Sequence, residues 1–385
     1  MKNKTIVFVG GGTLGHLAPT VSVVKELKRK YPSIRIYFFT TSKETEKDYI
    51  KKNLGKYLNG MVSFDLLGYK RKIFSVKSFS YNLKSIIKYL KAKKKIRKQI
   101  EMIKPDLFIG MGGYISGFVL KKAIKMKFKA IIHEQNAFLG LSNKIVAKNV
   151  DKIMLSFPIK NMKEKYQNKS VIVGNPAINE VLVYKNKYFE KTNNVLVISG
   201  SMGSSLINDL AIKVAHELND YHFTIVTGKK YYKDNKEEIL SIEKDINVIA
   251  FSNDLKKLMC EASIVISRCG SSSLFEILGL EKLSILIPSS FVSDNHQVLN
   301  SNVLKEKNQA VVIYEKDLSV NILKETIESL NSSFYKKQEI INNIKQDNYL
   351  NSLDNFIKEV EGVLWIKWKK LVIVKLKLLM ILLFM

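Results

Sequence analysis

Two cysteines, six prolines and five histidines are all that a chain of 385 residues contains, and each shortage removes a class of protein. Cys260 and Cys269 are too few for a disulfide framework or a cysteine-built zinc site, so a reducing compartment is expected. Six prolines exclude a collagen-like or proline-rich design. Acid is scarce too, with 35 Asp+Glu against 63 Lys+Arg and a formal net charge of +28. Long apolar runs are missing from most of the chain. Ile6–Val9, behind Lys2 and Lys4, is shorter than the roughly 7–15 apolar residues of a signal-peptide core, so it predicts a first strand in a cytoplasmic protein. Leu371–Met385, broken by Lys375 and Lys377, falls short of the roughly 20 residues that span a bilayer. What is there is globular: 46% hydrophobic and 25% charged, in a length suited to two domains of about 150–200 residues.

Short β-branched runs alternate with helical patterns along the chain. Thr5–Val9 precedes a helix near Pro19–Tyr31, and Ile34–Thr40, Leu107–Gly110, Ala130–His133, Lys152–Leu155 and Val171–Val173 read as further strands. A second series runs through Val195–Ser199, Phe223–Thr227, Asn247–Ala250, Ile264–Ser267, Ser284–Ile287 and Ala310–Ile313. Strands alternating with helices imply parallel sheets covered on both faces. The expected class is α/β: two Rossmann-like, doubly wound domains facing a cleft, linked near Pro176–Asn194, with ligands outside the carboxyl ends of the strands.

The positive charge is concentrated. Lys70–Lys104 holds 13 basic residues and one acid, Glu101, and the tail from Gly362 to Met385 holds five lysines and no acid. Within Ser78–Lys98, the apolar residues Phe79, Leu83, Ile86, Ile87 and Leu90 recur at helical spacing, while Lys84, Lys88, Lys91, Lys95 and Lys98 line another face. A stripe of lysines with almost no acid to neutralise it points to an anionic membrane surface, with each Lys near the bilayer contributing about 1 kcal/mol. Nucleic acid is disfavoured, because aromatic interleaving and a binding motif are absent.

Three glycine-rich loops follow predicted strands. Gly10–His16 opens a helix, where free N–H groups and the helix dipole favour an anion. Gly10, Gly12 and Gly15 also fit a dinucleotide fingerprint, but the second strand ends in Thr40-Thr41, with Glu44 and Glu46 beyond it, so a nicotinamide cofactor is disfavoured. Ser199–Ser205 and Ser267–Glu276 repeat the strand–glycine–helix arrangement. Together with Glu276 they favour a diphosphate plus a ribose diol held by a carboxylate, which is a nucleotide sugar. None of these loops carries the Gly-Lys-Ser/Thr ending of a triphosphate-hydrolysing P-loop, and no Asp-x-Asp metal motif occurs in the chain. His16, beside the first loop, is of the type that serves as a general base near neutral pH.

Seven motifs then fall in order: GGGTLGHLAP (Gly10–Pro19), MGGYISG (Met111–Gly117), HEQNAFLGLSNK (His133–Lys144), VGNP (Val173–Pro176), SGSMGS (Ser199–Ser204), SRCGSSSLFE (Ser267–Glu276) and DNHQVLN (Asp294–Asn300). In these the chain resembles the MurG-type N-acetylglucosaminyltransferases of glycosyltransferase family 28, which have the GT-B fold. The resemblance implies an inverting transfer of N-acetylglucosamine from UDP-N-acetylglucosamine, with no metal or other cofactor. The acceptor it implies is the C4 hydroxyl of a polyprenyl-diphosphate-linked muramyl-peptide, at the cytoplasmic face of the membrane in peptidoglycan synthesis. It further implies the membrane surface and other cell-wall synthesis proteins as partners.

Carried over residue by residue, the resemblance makes His16 the candidate base, with Glu134 a rival or helper. Thr13, Leu14, Gly15 and Asn136 would meet the donor sugar or the acceptor diphosphate. Ser201, Gly203, Ser271, Ser272 and Ser273 would hold the UDP diphosphate. Main chain at Phe251-Ser252 would read uracil, Glu276 the ribose, and Gln297, with Asn300, the sugar hydroxyls. His133 reads as an orienting residue, and His216 and His222 as ordinary members of a helix and a strand. The implied domains are 1–177 for the acceptor and membrane, completed by a returning helix at about 345–361, and 178–344 for the UDP-sugar. The 362–385 tail has no assigned role. Two positions depart from the family: Leu14 stands for a glycine, and Ile178 for an arginine that meets the nucleotide phosphate. The rivals are a transferase with another lipid acceptor such as diacylglycerol, a UDP-N-acetylglucosamine 2-epimerase, which needs no basic helix, and a non-catalytic UDP-sugar-binding subunit.

Overall fold

The computed structural model describes residues 3–68, 76–185, 187–188, 190–200, 203–242, 246–290 and 295–364. The chain divides into two compact units. Unit 1 comprises Met1–Gln135, Leu139–Pro176 and Ser352–Met385, and unit 2 comprises Asn136–Phe138 and Ala177–Asn351.

Unit 1 is built on a seven-stranded parallel sheet: β1 (Thr5–Val9), β2 (Arg35–Thr41), β3 (Gly60–Phe64), β4 (Leu107–Gly110), β5 (Ala130–Glu134), β6 (Lys152–Leu155) and β7 (Ser170–Ile172). Their spatial order is β3-β2-β1-β4-β5-β6-β7, so the direction of winding reverses between β1 and β4. Alternation along the strands divides the core. Ile6 and Phe8 face a layer that includes Val24, Leu27, Ile50, Phe356 and Val360, whereas Val7 and Val9 face Ile96, Ile100, Val119 and Val146. The first layer includes a helix over residues 352–364, which returns from unit 2 and buries Phe356, Ile357 and Val360 completely. Lys152 pairs with Glu359 at 3.0 Å and Tyr31 donates to Glu361 at 2.6 Å, fastening that helix at its polar edge.

Unit 2 carries β8 (Asn194–Ile198), β9 (His222–Val226), β10 (Ile246–Ile249), β11 (Ile264–Ser267), β12 (Leu283–Leu286) and β13 (Val311–Val312) in a six-stranded parallel sheet. Its order is β10-β9-β8-β11-β12-β13, with the reversal between β8 and β11. Both sheets are therefore doubly wound, as the alternation of strand and helix predicts.

Three expectations differ from the structure. Gly60–Phe64 forms an edge strand that its sequence conceals, because it opens on glycine and lies only half-buried. The segment expected as a linker instead forms a turn at Pro176–Ile178 and a helix at Asn179–Lys185. Residues 362–364, expected in the tail, end the returning helix, while 365–385 lie outside the described residues.

Candidate active site

In open parallel sheets, ligands sit beyond the strand ends where the winding reverses. In unit 1 those ends are the loops after β1 and β4. Gly10 donates to the Phe39 carbonyl at 3.1 Å, and the chain then turns through Gly11 and Gly12 with positive φ into a 3-10 turn at Leu14–His16. The loop after β4 presses against it. A Cβ at Gly113 would lie 1.6 Å from the Gly11 carbonyl oxygen, so only glycine permits the approach. The His16 ring lies against Gly112, where a Cβ would stand 2.6 Å from Nδ1.

Glu46 is a site residue whose role sequence reading missed. Its buried carboxylate accepts the Gly12 N–H at 2.9 Å and the Thr41 hydroxyl at 2.7 Å, with Lys43 3.7 Å away. The first loop is thus braced by an acid, and the Gly12 N–H, expected to cradle an anion, is already engaged. The only visible signal was a glutamate just past the second strand, where it counted solely against a nicotinamide cofactor.

At the end of β5, His133 is fully buried, within 3.1 Å of both the Gly174 carbonyl and the Ser156 hydroxyl. Burial pushes its imidazole down to about 4, against the Gly174 hydrogen bond and helped by His16, so it is neutral at physiological pH and orients rather than titrates. Glu134 accepts from the Gly140 N–H at 2.8 Å and from Asn143 Nδ2 at 2.9 Å. Its carboxylate therefore shapes the loop ahead of the helix Leu141–Val146.

In unit 2 the corresponding ends are the loops after β8 and β11. Gly203 has φ +75°, and a Cβ there would lie 2.6 Å from the Thr227 carbonyl oxygen, which makes glycine a requirement of the turn into the helix Ser205–Glu217. After β11, Gly270 precedes the helix Ser271–Gly279, whose first-turn N–H groups include those of Ser271, Ser272 and Ser273. Glu276 lies on this helix. Burial pushes its carboxyl up to about 7, opposed by Lys256 and aided by Glu180. Ser252 accepts the Asp254 N–H at 3.1 Å, shaping the loop after β10.

Arg268 and Glu315 were also missed. Arg268 donates to Ser204 Oγ at 2.7 Å and to the Ile287 carbonyl at 3.2 Å, and it pairs with Glu315 at 2.7 Å. Burial pushes the Glu315 carboxyl up, but the Ser290 N–H and Arg268 outweigh it and hold the group below its ordinary value. The pair ties the loop after β11 to the N-cap of the helix after β8. Arginine in the SRCGSSSLFE motif was visible in sequence, but its acidic partner lies 47 positions away with no motif to mark it.

The helix His296–Glu306 completes this half of the site. Gln297 Oε1 accepts the N–H groups of Cys269 at 3.3 Å and Ser289 at 2.9 Å. Asn300, expected to join Gln297 at the sugar hydroxyls, is fully buried and bonded to Asn136, Ala137 and Cys269. Ile178 is a core residue packed on Gly279. In unit 1, Thr13 and Gly15 are exposed on the first loop. Ser201 and the side chain of Leu14 lie outside the described residues. Among the described residues, no group of three or more His, Cys, Asp or Glu is placed to hold a metal ion.

The helix Val76–Ile103 shows why the basic segment looks as it does. Ser78, Ser85, Ala92, Ile96 and Ile100 face the unit, while Phe79, Leu83, Ile86, Ile87 and Leu90 are 43–65% exposed. Lys84 and Lys91 are exposed as well. Lys88 pairs with Asp65 at 2.6 Å and Lys95 reaches the Ser63 carbonyl at 3.0 Å, so part of the stripe expected to be unpaired has partners. Among the described residues no helix is long and apolar enough to cross a membrane.

Two doubly wound parallel units, each with glycine-dependent turns where the winding reverses, define the GT-B class of glycosyltransferases. Residues 6–155 match the glycosyltransferase family 28 N-terminal domain and residues 194–356 the glycosyltransferase family 28 C-terminal domain. Two relatives share the name UDP-N-acetylglucosamine–N-acetylmuramyl-(pentapeptide) pyrophosphoryl-undecaprenol N-acetylglucosamine transferase. That of Alkaliphilus oremlandii is 33% identical, across 87% of this chain and 92% of its own. That of Listeria welshimeri is 30% identical, across 93% and 99%. The crystal structure of Acinetobacter baumannii MurG shares the fold with TM-score 0.71 and 18% identity, covering 94% of this chain and 99% of that one. The chain belongs to glycosyltransferase family 28.

Proposed function

We propose that this protein transfers N-acetylglucosamine from UDP-N-acetylglucosamine to the C4 hydroxyl of N-acetylmuramic acid on an undecaprenyl-diphosphate-linked muramyl-peptide. The observation that carries this reading is near full-length similarity to transferases named for that reaction, with 33% identity over 92% of one of them. The acceptor oxygen attacks the anomeric carbon, the bond from that carbon to the UDP phosphate breaks, and the hydroxyl proton passes to His16. The linkage formed is β. Charge gathering on the leaving diphosphate is met by the first-turn N–H groups of the helix that opens at Ser271–Ser273, with Ser201 and Gly203 completing the diphosphate site. Glu276 holds the ribose diol, main chain at Ser252 reads uracil, and Gln297 and Asn136 address the sugar. Thr13, Leu14 and Gly15 meet the donor sugar or the acceptor diphosphate, and Glu134 is a rival or helper to His16 as base.

The exposed face of the helix Val76–Ile103 supports a peripheral seat on an anionic bilayer: apolar side chains enter the interface and Lys84 and Lys91 meet lipid phosphates. Such a seat would bring the site to a lipid-borne acceptor.

The test is UDP release from UDP-N-acetylglucosamine in EDTA, with the muramyl lipid, with diacylglycerol, or with neither. Release that requires the muramyl lipid is expected, and His16→Ala should lower kcat by about 10²–10⁴ with UDP affinity retained. Release with diacylglycerol alone, loss of activity on chelation, or UDP binding without release would overturn the reading.

A further inference from the structure

Glu46, 2% exposed, lies in the first turn of the helix Glu44–Leu54 that follows β2. Its Oε1 accepts the Gly12 N–H at 2.9 Å, and its Oε2 accepts the hydroxyls of Thr41 at 2.7 Å and Thr40 at 3.4 Å. Gly11 makes room for the carboxylate, since a Cβ there would stand 2.5 Å from Oε2. Lys43, the residue before that helix, donates to the Gly12 carbonyl at 3.2 Å and stands 3.7 Å from Glu46 Oε1. Two successive peptide planes of the first glycine loop are thereby held. The carboxylate holds the plane that ends in the Gly12 N–H, and the ammonium holds the plane that begins with the Gly12 carbonyl.

We infer that Glu46 is a positioning residue for His16. The inference rests on the functional reading above, in which His16 takes the hydroxyl proton. Two routes lead from the carboxylate to the imidazole. One is the loop itself, since His16 follows Gly12 by four residues. The other crosses the loop after β4: the Gly11 carbonyl oxygen sits where Gly113 has no side chain, and the His16 ring sits where Gly112 has none. These are contacts of main chain on main chain and of main chain on a ring, and a close-packed interior transmits such displacements instead of absorbing them. Proton transfer needs the base within about 2.6–3.2 Å of the hydroxyl, and a displacement of about 1 Å can cost 10²-fold in rate. Buried as it is, Glu46 acts on the reaction through the backbone. Glutamine at 46 would keep an oxygen for the Gly12 N–H, and its amide can donate to threonine hydroxyls that turn to accept. Alanine would leave the Gly12 N–H and the Thr41 hydroxyl without this partner. Aspartate would keep the charge but draw it back from Gly12 by one carbon–carbon bond.

The experiment compares the unaltered protein with Glu46→Ala, Glu46→Asp and Glu46→Gln. It reads kcat and KM with the lipid acceptor, calorimetric binding of UDP, and spectra of protein labelled with nitrogen-15 at histidine, the His16 signals being identified by their loss in His16→Ala. Glu46→Ala and Glu46→Asp are expected to move the His16 signals and to lower kcat about 10- to 100-fold, with KM changed less and UDP affinity retained. Glu46→Gln should restore both the signals and kcat. His133, in the core of the same unit, should keep its signals in all three variants, which separates positioning from loss of the fold. Glu46→Asp decides the matter should Glu46→Ala not fold. His16 signals and kcat unmoved in Glu46→Asp, His133 signals that move with those of His16, or Glu46→Gln as damaging as Glu46→Ala would overturn the proposal. A protein in which His16 follows Glu46 as expected but the muramyl lipid is ignored fails the acceptor reading and leaves the positioning upheld by the spectra. Unaltered kcat in His16→Ala overturns both.

Discussion

Glu276 is a carboxyl group kept from ionising by its surroundings: burial raises it to about 7, and Lys256 offsets only part of the rise. In the unfolded chain the group titrates near 4.5. The folded state therefore bears no penalty below that pH, loses stability as pH climbs from about 4.5 to about 7, and carries a constant deficit above. Glu276→Gln should flatten this slope, seen as a smaller fall in Tm between pH 5 and pH 8 than in the unaltered protein. With Glu276 holding the ribose diol as proposed above, the hydroxyls would donate to the ionised form, so UDP binding near pH 7 should release a proton. Binding heat that is the same in buffers of different ionisation enthalpy would contradict this. The motif around Glu276 marked it in sequence, but the raised affinity for its proton comes from packing. The same holds for Glu46, Arg268 and Glu315, polar residues whose partners lie 34 to 64 positions away in three of their bonds.

Among the elements, the helix Val76–Ile103 carries the peripheral membrane seat proposed above. Helical spacing of Phe79, Leu83, Ile86, Ile87 and Leu90 is legible in sequence, and such a stripe usually faces a core. Here small side chains, Ser78, Ser85 and Ala92, lie against the unit and the large apolar ones face outward. Replacing Leu83 and Ile87 by Ser should abolish co-sedimentation with anionic vesicles while leaving UDP affinity intact. Raising salt should weaken binding of the unaltered protein, since each Lys contributes through a screened attraction. Vesicle binding unaffected by the double substitution would assign the membrane contact elsewhere. The strands were more legible than the helix faces. Buried parallel strands are continuous apolar runs whatever their neighbours, and only β3, half-buried at the sheet edge, escaped notice.

At the scale of the molecule, the chain crosses from unit 1 to unit 2 and back, and the last described helix, over residues 352–364, is part of the first core. Phe356 has no exposed surface and meets His133 edge-on at 5.3 Å. Phe356→Ala should destabilise unit 1 by about 3–5 kcal/mol. In urea this should appear as an earlier transition for unit 1, with UDP binding by unit 2 retained beyond it. A single unshifted transition would mean that the returning helix adds little. His133 should then gain exposure and titrate closer to its ordinary value of 6.5, because burial is the main cause of its depression.

The sequence by itself determined the α/β class, the order of nearly all strands, the glycine turns and the family, because these depend on local periodicity, on short motifs and on residue types that few backbones allow. Gly113 and Gly203 are glycines for reasons that a strand–glycine–helix pattern already signals. Only the tertiary structure decided which partners each polar group meets. Asn300 and Gln297 share one motif, yet one is wholly buried against Asn136, Ala137 and Cys269 while the other accepts from the Cys269 and Ser289 N–H groups. Hydrogen-bond partners are chosen by three-dimensional proximity, which short-range pattern does not encode, and the same is true of the apolar face that the helix Val76–Ile103 turns outward.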